Sequence, residues 1–366
     1  NMLRSGKRFW KINNDENMKI DAIIGNPPYQ LTVAKKDTDN GQKAVVNIFQ
    51  HFQLLADRLA PRFSSLIYPA GRWIHRSGKG LADFGYNQIN DKRLCRLHFY
   101  PDSTDIFQDV GIADGLSIVF MDNAKKKEGF IYVYSKGGKT MEIAMPNPGY
   151  TLMALDPMAE QISQKIQAVV GERFDYISNA VLSQKLFSIE SDFVEKNPTL
   201  VRPYQEGITL GKDEIKLFAN DKAGKAGRTS WYVAHKSVIK TGLDYLYRWK
   251  VVVSSANAGG QKRSNQIAVL DNRSAFGRSR VALKTFETEQ EARNFYAYCQ
   301  TDFIRYAFLL TDEALTSLGK LVPDLLNYTD DNGIIDYTQD VNAQLYRLFG
   351  IDETMQAIIK QTLSER

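Results

Sequence analysis

The sequence predicts an α/β sheet over residues 1–150 and an α+β body over residues 151–366. Three observations carry this. Short apolar runs alternate with a helical period between residues 19 and 134. A segment dense in proline and glycine, Met145-Pro146-Asn147-Pro148-Gly149, then interrupts the alternation. From about residue 175 onward, short strands, polar loops and aromatics take over.

Taken in order, residues 19–25 are a short apolar run ending in Gly25 and followed by Asn-Pro-Pro, which reads as a buried strand stopped by a stiff turn. Val45, Phe49, Phe52, Ala56 and Leu59 recur at helical spacing with Pro61 just beyond, so residues 43–59 are expected as one helix. Residues 64–68 form a second strand closed by Pro69, and a helix is expected over residues 80–90. Residues 94–100 and 115–121 are the third and fourth strands. Residues 129–134 are expected to pair with the fourth as a hairpin. Strand–helix–strand alternation with short links argues for a mostly parallel sheet, which binds ligands at the C-terminal ends of its strands. Beyond the break, residues 156–170 read as a connecting helix, 287–310 as one long helix, and 341–363 as two short helices around Gly350.

Composition narrows the function classes. With 43% hydrophobic residues, 19 Phe and 18 Tyr in 366 residues, the chain fills two cores and is not disordered. A net charge of +5 permits a nucleic-acid partner without requiring one. Cys95 and Cys299 give no disulfide framework, and neither they nor the four histidines show metal-ligand spacing, so no metal is expected. No apolar run approaches the roughly 20 residues of a membrane span, and no signal-peptide core follows the basic start. A cytoplasmic protein is the expectation.

Asn26-Pro27-Pro28-Tyr29 is the motif that carries chemistry. Two prolines fix φ at consecutive positions and remove two N–H donors, and Asn26, preceding Pro27, is pushed to extended backbone. The turn therefore aims one amide side chain and leaves carbonyls unpaired. Asn26 Oδ1 and the Pro27 carbonyl are two acceptors held close together, matching the two hydrogens of an exocyclic –NH2. Binding both draws the nitrogen toward sp3 geometry and frees its lone pair for attack. Tyr29 offers a flat face for the ring that bears the amine.

The run Asp21-Ala22-Ile23-Ile24-Gly25-Asn26-Pro27-Pro28-Tyr29-Gln30 resembles motif IV of the gamma-type amino-group DNA methyltransferases of bacterial restriction–modification systems. Ile67-Tyr68-Pro69-Ala70 is similar to that family's next strand and turn. Residues 104–110 followed by 115–120 are similar to the segment whose Phe packs on the other side of a flipped base. Pieces of the tail, including Val322-Pro323-Asp324 and residues 340–346, resemble the family's target-recognition domains. The resemblance implies a partial class I methyltransferase (Rossmann-like) sheet over 1–150 and a DNA target-recognition domain over 151–366. It implies methyl transfer from S-adenosylmethionine to N6 of an adenine flipped out of double-stranded DNA. Asn26 and Pro27 then activate the amine, Tyr29 stacks on the base, and Phe107 is a second stacking residue.

The family holds its cofactor mainly with a Gly-rich loop and acidic residues that precede motif IV. Here about 20 residues precede it, and no such loop is found elsewhere. The chain is therefore expected to be a C-terminal portion, from a truncation, a split enzyme or a broken gene, and inactive alone. Residues 19–25 would present a bare strand edge, covered by a partner, a symmetry mate or residues 9–12.

Between residues 248 and 284 the charges are almost all basic, among Ser, Asn, Gln and Gly. Read alone, this is a solvated charged surface. Downstream of an adenine-binding loop it reads as a DNA contact through Arg248, Lys250, Asn257, Lys262, Arg263, Arg278 and Arg280. Residues 212–236, with Lys222, Lys225, Arg228, Trp231 and His235, are a second candidate face. The competing readings are a methyltransferase of RNA or protein glutamine, and a DNA-binding remnant or specificity subunit without catalysis.

Overall fold

Strand β1 (Ala22–Gly25) pairs in parallel with β4 (Phe63–Pro69) and lies at the edge of a six-stranded sheet. The computed structural model describes residues 20–33, 44–77, 80–224, 226–255, 267–311 and 315–364. The chain divides into two compact units, Asn1–Thr151 and Leu152–Arg366.

The sheet of the first unit also contains β5 (Leu94–Tyr100), β6 (Leu116–Asp122), β7 (Phe130–Lys136) and β8 (Lys139–Met145), in the order β1-β4-β6-β5-β7-β8. It is mixed rather than mostly parallel. Only β1–β4 and β5–β7 run parallel, and the other pairs are antiparallel. Nor do β6 and β7 form the expected hairpin. Both edges of β6 are filled, by β4 and β5, so β7 passes to the far side of β5. Lys125 Nζ holds this crossing by donating to the carbonyls of Lys92, Lys127 and Gly129, each at 2.7 Å.

The helix expected over 43–59 is shorter. Ala44–Asn47 form a strand, β3, paired with β2 (Gln30–Val33), and helix α1 spans Phe49–Leu59. The adjacent β-branched Val45 and Val46 favour the hairpin once a partner strand exists. Helix α1 ends at Ala60, which is left-handed with φ 48°, ahead of Pro61. Its buried side chains, Phe49, Gln50, Gln53 and Ala56, follow helical spacing. Phe49 stacks on Tyr68 of β4 at 5.1 Å, and Tyr68 donates to Gln53 Oε1 at 3.3 Å. Helices α2 (Gly71–Ile74) and α3 (Ala82–Ile89) complete this layer, with Trp73 and Phe84 edge-on at 6.0 Å. Gly85 permits the approach, since a Cβ there would lie 1.9 Å from the Trp73 carbonyl oxygen.

The second unit begins with α4 (Pro157–Arg173), capped by the Asp156 side chain and started by proline at its first turn. A short pair, β9 (Asp175–Tyr176) with β17 (Pro323–Asp324), follows it. The remaining strands are β10 (Val201–Pro203), β11 (Glu214–Asn220), β12 (Thr229–His235), β13 (Trp249–Ser254), β14 (Ile267–Leu270), β15 (Ser274–Phe276) and β16 (Arg280–Phe286). They form the sheets β10-β12-β11-β15 and β14-β13-β16. The single long helix expected over 287–310 is two helices, α5 (Glu289–Gln300) and α6 (Asp302–Leu309). Thr301 between them is extended, and its hydroxyl donates to the Tyr298 carbonyl while accepting the Ile304 amide. That hydroxyl ends one helix and starts the next. Helices α7 (Val341–Leu348) and α8 (Glu353–Ser364) flank Gly350, whose φ is 62°.

Candidate active site

The Asn26–Tyr29 turn is held at both ends. Upstream, β1 is registered on β4, with Gly25 opposite Leu66. Downstream, the Tyr29 carbonyl accepts the Ile48 amide at 3.0 Å. The Gln30 side chain donates to Asn47 Oδ1 at 3.3 Å, and Gln50 donates to the Asn47 carbonyl at 3.0 Å. The β2–β3 hairpin and the start of α1 thus clamp the exit of a turn that its prolines already stiffen.

Within the turn, Asn26 is exposed and Pro27 is half-buried. No hydrogen bond from a described residue occupies the Pro27 carbonyl. The Tyr29 ring is half-buried, and its hydroxyl is buried without a hydrogen-bond partner among the described residues. Burial pushes the phenol pKa up, and the Asn26 side chain acts in the opposite direction. An open cavity of about 230 Å³ lies beside Asn26 and Pro27, walled by Ile24, Phe52, Leu59 and Leu66 among others. A second, of about 270 Å³, lies against Ile24, Phe63 and Phe120. Ile24 itself is 83% exposed, and β1 has no partner on its outer edge among the described residues. The arm over residues 9–12, expected as a cover for this edge, lies outside the described residues.

Strands β1, β4 and β5 all run in one direction, because β1 is parallel to β4 and both β4 and β5 are antiparallel to β6. The turn after β1, the turn after β4 and the loop 101–115 after β5 therefore leave the same edge of the sheet. Phe107 sits half-buried in that loop. Buried Ser103 ties the loop into a ring: its hydroxyl donates to the Val110 carbonyl at 2.5 Å and accepts the Ile112 amide at 2.8 Å, while its carbonyl accepts the Phe107 amide at 2.9 Å. Asp114 joins the loop to α2, through its carbonyl to the Gly71 amide at 2.8 Å and its carboxylate to Arg72 at 2.9 Å. The loop thus brings Phe107 to the edge that carries Asn26, Pro27 and Tyr29. No ring contact joins Phe107 to Tyr29 among the described residues.

The basic stretch of the second unit departs from expectation at two positions. Lys250 is fully buried, and its ammonium donates to the carbonyls of Tyr245 (2.9 Å), Leu246 (3.1 Å), Arg248 (2.5 Å) and Asp271 (3.3 Å). It caps the helical turn Leu243–Leu246, adding to the Arg248 amide that the Tyr245 carbonyl already accepts at 3.3 Å. Burial pushes its pKa down to about 7. Arg280 is also buried, over the Phe218 ring at 4.8 Å, and burial lowers its pKa to about 10. Both side chains are therefore buried within the second unit rather than displayed on its surface. Arg248 and Arg278 are half-buried, each paired at 2.8 Å, with Glu287 and Glu190. Asn257, Lys262 and Arg263 lie outside the described residues. On the second candidate face, Lys222 is exposed and Lys225 is outside the described residues. Trp231 is stacked on Phe218 at 4.7 Å. Acids distant in sequence neutralise neighbouring bases there, as Lys216–Asp271 at 2.5 Å and Lys236–Asp213 at 2.7 Å do.

Among the described residues, no group of three or more His, Cys, Asp or Glu is placed to hold a metal ion, and no helix is long and apolar enough to cross a membrane.

Residues 1–107 match the family model described as Eco57I restriction-modification methylase. Over 127 residues the chain is 34% identical to an uncharacterized adenine-specific methylase of Mycoplasma pneumoniae, which covers 34% of this chain and 29% of that protein. The chain therefore spans under a third of the curated relative it matches. Among solved structures, it is similar to the Type IIL restriction-modification enzyme MmeI in complex with DNA, at 9% identity over 94% of this chain and 57% of that one, with a TM-score of 0.39. It is also similar to a nuclease-deletion mutant of the Type ISP enzyme LlaGI with a DNA substrate mimic, at 11% identity over 87% and 34%, with a TM-score of 0.38.

Proposed function

We propose that this chain carries the amine-activating turn and the DNA-recognition body of an adenine-N6 DNA methyltransferase of restriction–modification type. The observation that carries this reading is the Asn26-Pro27 pair at the C-terminal end of β1: an exposed amide beside a carbonyl that no described residue occupies. The match of residues 1–107 to a methylase family and the adenine-specific relative support it.

In this reading the two N6 hydrogens of adenine donate to Asn26 Oδ1 and the Pro27 carbonyl, which localises the nitrogen lone pair toward the incoming methyl group. Tyr29 carries one face of the base, and Phe107, from the loop at the same sheet edge, carries the other. Stacking of this kind returns roughly 1–3 kcal/mol, comparable to the few kcal/mol spent in taking a base out of the duplex.

The methyl donor expected for this chemistry is S-adenosylmethionine. The cavity beside Asn26 and Pro27 is walled mainly by apolar side chains, so these residues do not by themselves fit a charged sulfonium that carries an amino acid and a ribose. We assign its binding to further strands seated on the outer edge of β1, which no described strand occupies. Ligands in open α/β sheets bind where the strand order reverses, and β1 would hold that position once strands are added on its outer side. In the second unit, Arg248 and Arg278 are the described residues we assign to DNA phosphates, with Asn257, Lys262 and Arg263 as further candidates. This chain by itself is expected to transfer no methyl group.

The test is tritium transfer by the full-length protein to duplex DNA, RNA and protein. Methylation of adenine in duplex DNA, lost by at least about a hundredfold in Asn26→Ala, is the expected result. An acceptor other than DNA adenine, or an unimpaired Asn26→Ala variant, overturns the reading.

A further inference from the structure

We infer that Ser103 is a positioning residue for the target base: its hydroxyl closes the loop 103–112 and so fixes Phe107 where it can cover the base face that Tyr29 leaves open. This rests on the reading of Phe107 given above and adds the residue that holds it.

The loop has no core of its own. Of residues 101–114, Ser103 alone is buried, and Val110 is 47% exposed. No ring among the described residues packs on Phe107. Hydrogen bonds set its place instead, and they form a closed cycle. The Phe107 amide donates to the Ser103 carbonyl at 2.9 Å, and the Val110 amide donates to the Phe107 carbonyl at 3.0 Å. The Ser103 hydroxyl completes the cycle by donating to the Val110 carbonyl at 2.5 Å. The same hydroxyl accepts the Ile112 amide at 2.8 Å, so it bridges the two sides of Gly111.

A serine hydroxyl has one hydrogen to donate, and here the backbone takes it. Ser103 therefore acts through Phe107 rather than on the base. The need for such a brace follows from the sequence. Tyr29 is stiffened by two prolines before it, whereas Phe107 is followed by exposed Gln108, Asp109, Val110 and Gly111. A ring on a loose loop must be ordered each time a base arrives, and that ordering opposes stacking. The loop is also tied elsewhere. The Asp105 carboxylate accepts the Gly137 amide at 2.9 Å, and the Asp114 carbonyl accepts the Gly71 amide at 2.8 Å. Removing the Ser103 hydroxyl thus loosens the part that carries Phe107 without detaching the loop.

In this chain labelled with para-fluorophenylalanine, the Phe107 fluorine signal is assigned by its loss in Phe107→Leu. It moves in Ser103→Ala. It stays in place in Ser117→Ala, which removes another buried serine hydroxyl, one that donates to the Tyr68 carbonyl at 2.9 Å. In the full-length protein, Ser103→Ala lowers kcat for adenine methylation roughly tenfold and leaves KM for DNA unchanged. Adding Ser103→Ala to Phe107→Ala lowers kcat no further, because the first acts only through the second. Ser103→Cys, a weaker donor and acceptor, gives a smaller loss of the same kind and replaces Ser103→Ala if that variant does not fold. A Phe107 signal that ignores the hydroxyl overturns the inference, and so does an unchanged kcat or a double variant whose losses multiply. If the unsubstituted full-length protein methylates no adenine, the functional reading has failed instead, and the fluorine signal alone decides whether Ser103 fixes Phe107.

Discussion

The Ile48 amide, at the entry to α1, donates to the carbonyl of Tyr29 at 3.0 Å. This bond links the Asn26–Tyr29 turn to the helix that packs on Tyr68 of β4. Ile48 has φ −128°, far from the proline value near −65°. Ile48→Pro both removes the donor and forces the backbone, and is expected to cost about 1–3 kcal/mol. The matching observation in the unsubstituted chain is slow hydrogen exchange at the Ile48 amide. Exchange at the rate of an unprotected amide would show that the turn is not anchored there.

Lys284 and Asp324 form an ion pair at 2.5 Å in the second unit, with the Asp324 carboxylate almost wholly shielded from solvent. Asp324 also accepts from the Tyr328 hydroxyl at 3.0 Å and the Leu326 amide at 2.9 Å, and so shapes the turn after β17. Lys284→Met leaves a buried carboxylate without its cation and is expected to destabilise by about 3–5 kcal/mol. Chemical denaturation monitored in the second unit checks this. A loss below about 1 kcal/mol would mean that the hydroxyl and amide donors suffice without the ammonium.

Lys250 gives a pH dependence with a defined sign. Its pKa is pushed from 10.5 to about 7 by burial. Between those values the unfolded chain holds more protons at this position than the folded chain, so folding becomes more favourable as pH rises through the window. Below about pH 7 both states are protonated and the contribution is constant and unfavourable. The slope from this residue is at most about 1.4 kcal/mol per pH unit. Denaturant midpoints at about pH 6.5, 7.5 and 8.5 are expected to rise in the unsubstituted chain and to rise less in Lys250→Met. Identical pH profiles for the two would place the ammonium's titration elsewhere.

How far the sequence could be read follows from which interactions are local. The turn at Asn26-Pro27-Pro28-Tyr29 and the start of α4 at Asp156-Pro157 are dictated by proline and by a capping side chain within a few residues. The Thr301-Asp302 break carried the same local capping signal, masked by the apolar period of Phe295, Phe303 and Phe308 on either side. The parallel pairing of β7 with β5 had no local signal, because it depends on both edges of β6 being taken. The burial of Lys250 did leave a trace. It lies in Trp249-Lys250-Val251-Val252-Val253, a strand apolar on both faces, where a solvent-facing lysine has no place. That Arg278 and Arg248 are matched by Glu190 and Glu287 could not be seen, since Glu190 is far from Arg278 and Glu287 far from Arg248 along the chain.

The burial of Lys250 beside the half-buried, ion-paired Arg248 yields the sharpest test of the proposed DNA-binding face. Affinity for duplex DNA falls with salt as counterions are released, with a slope of roughly 0.9 per phosphate neutralised. Arg248 and Arg278 are held by surface ion pairs, which are typically worth about 0–1 kcal/mol and exchange readily for a phosphate. Arg248→Ala and Arg278→Ala are each expected to flatten the plot of log K against log salt by about one unit. Lys250→Met, two residues from Arg248, is expected to leave that slope alone, because its ammonium is spent on the carbonyls of Tyr245 and Leu246. Fluorescence anisotropy with a labelled duplex at several salt concentrations measures all three. A flattened slope in Lys250→Met, or an unaltered slope in both arginine variants, would move the DNA to another face of the second unit.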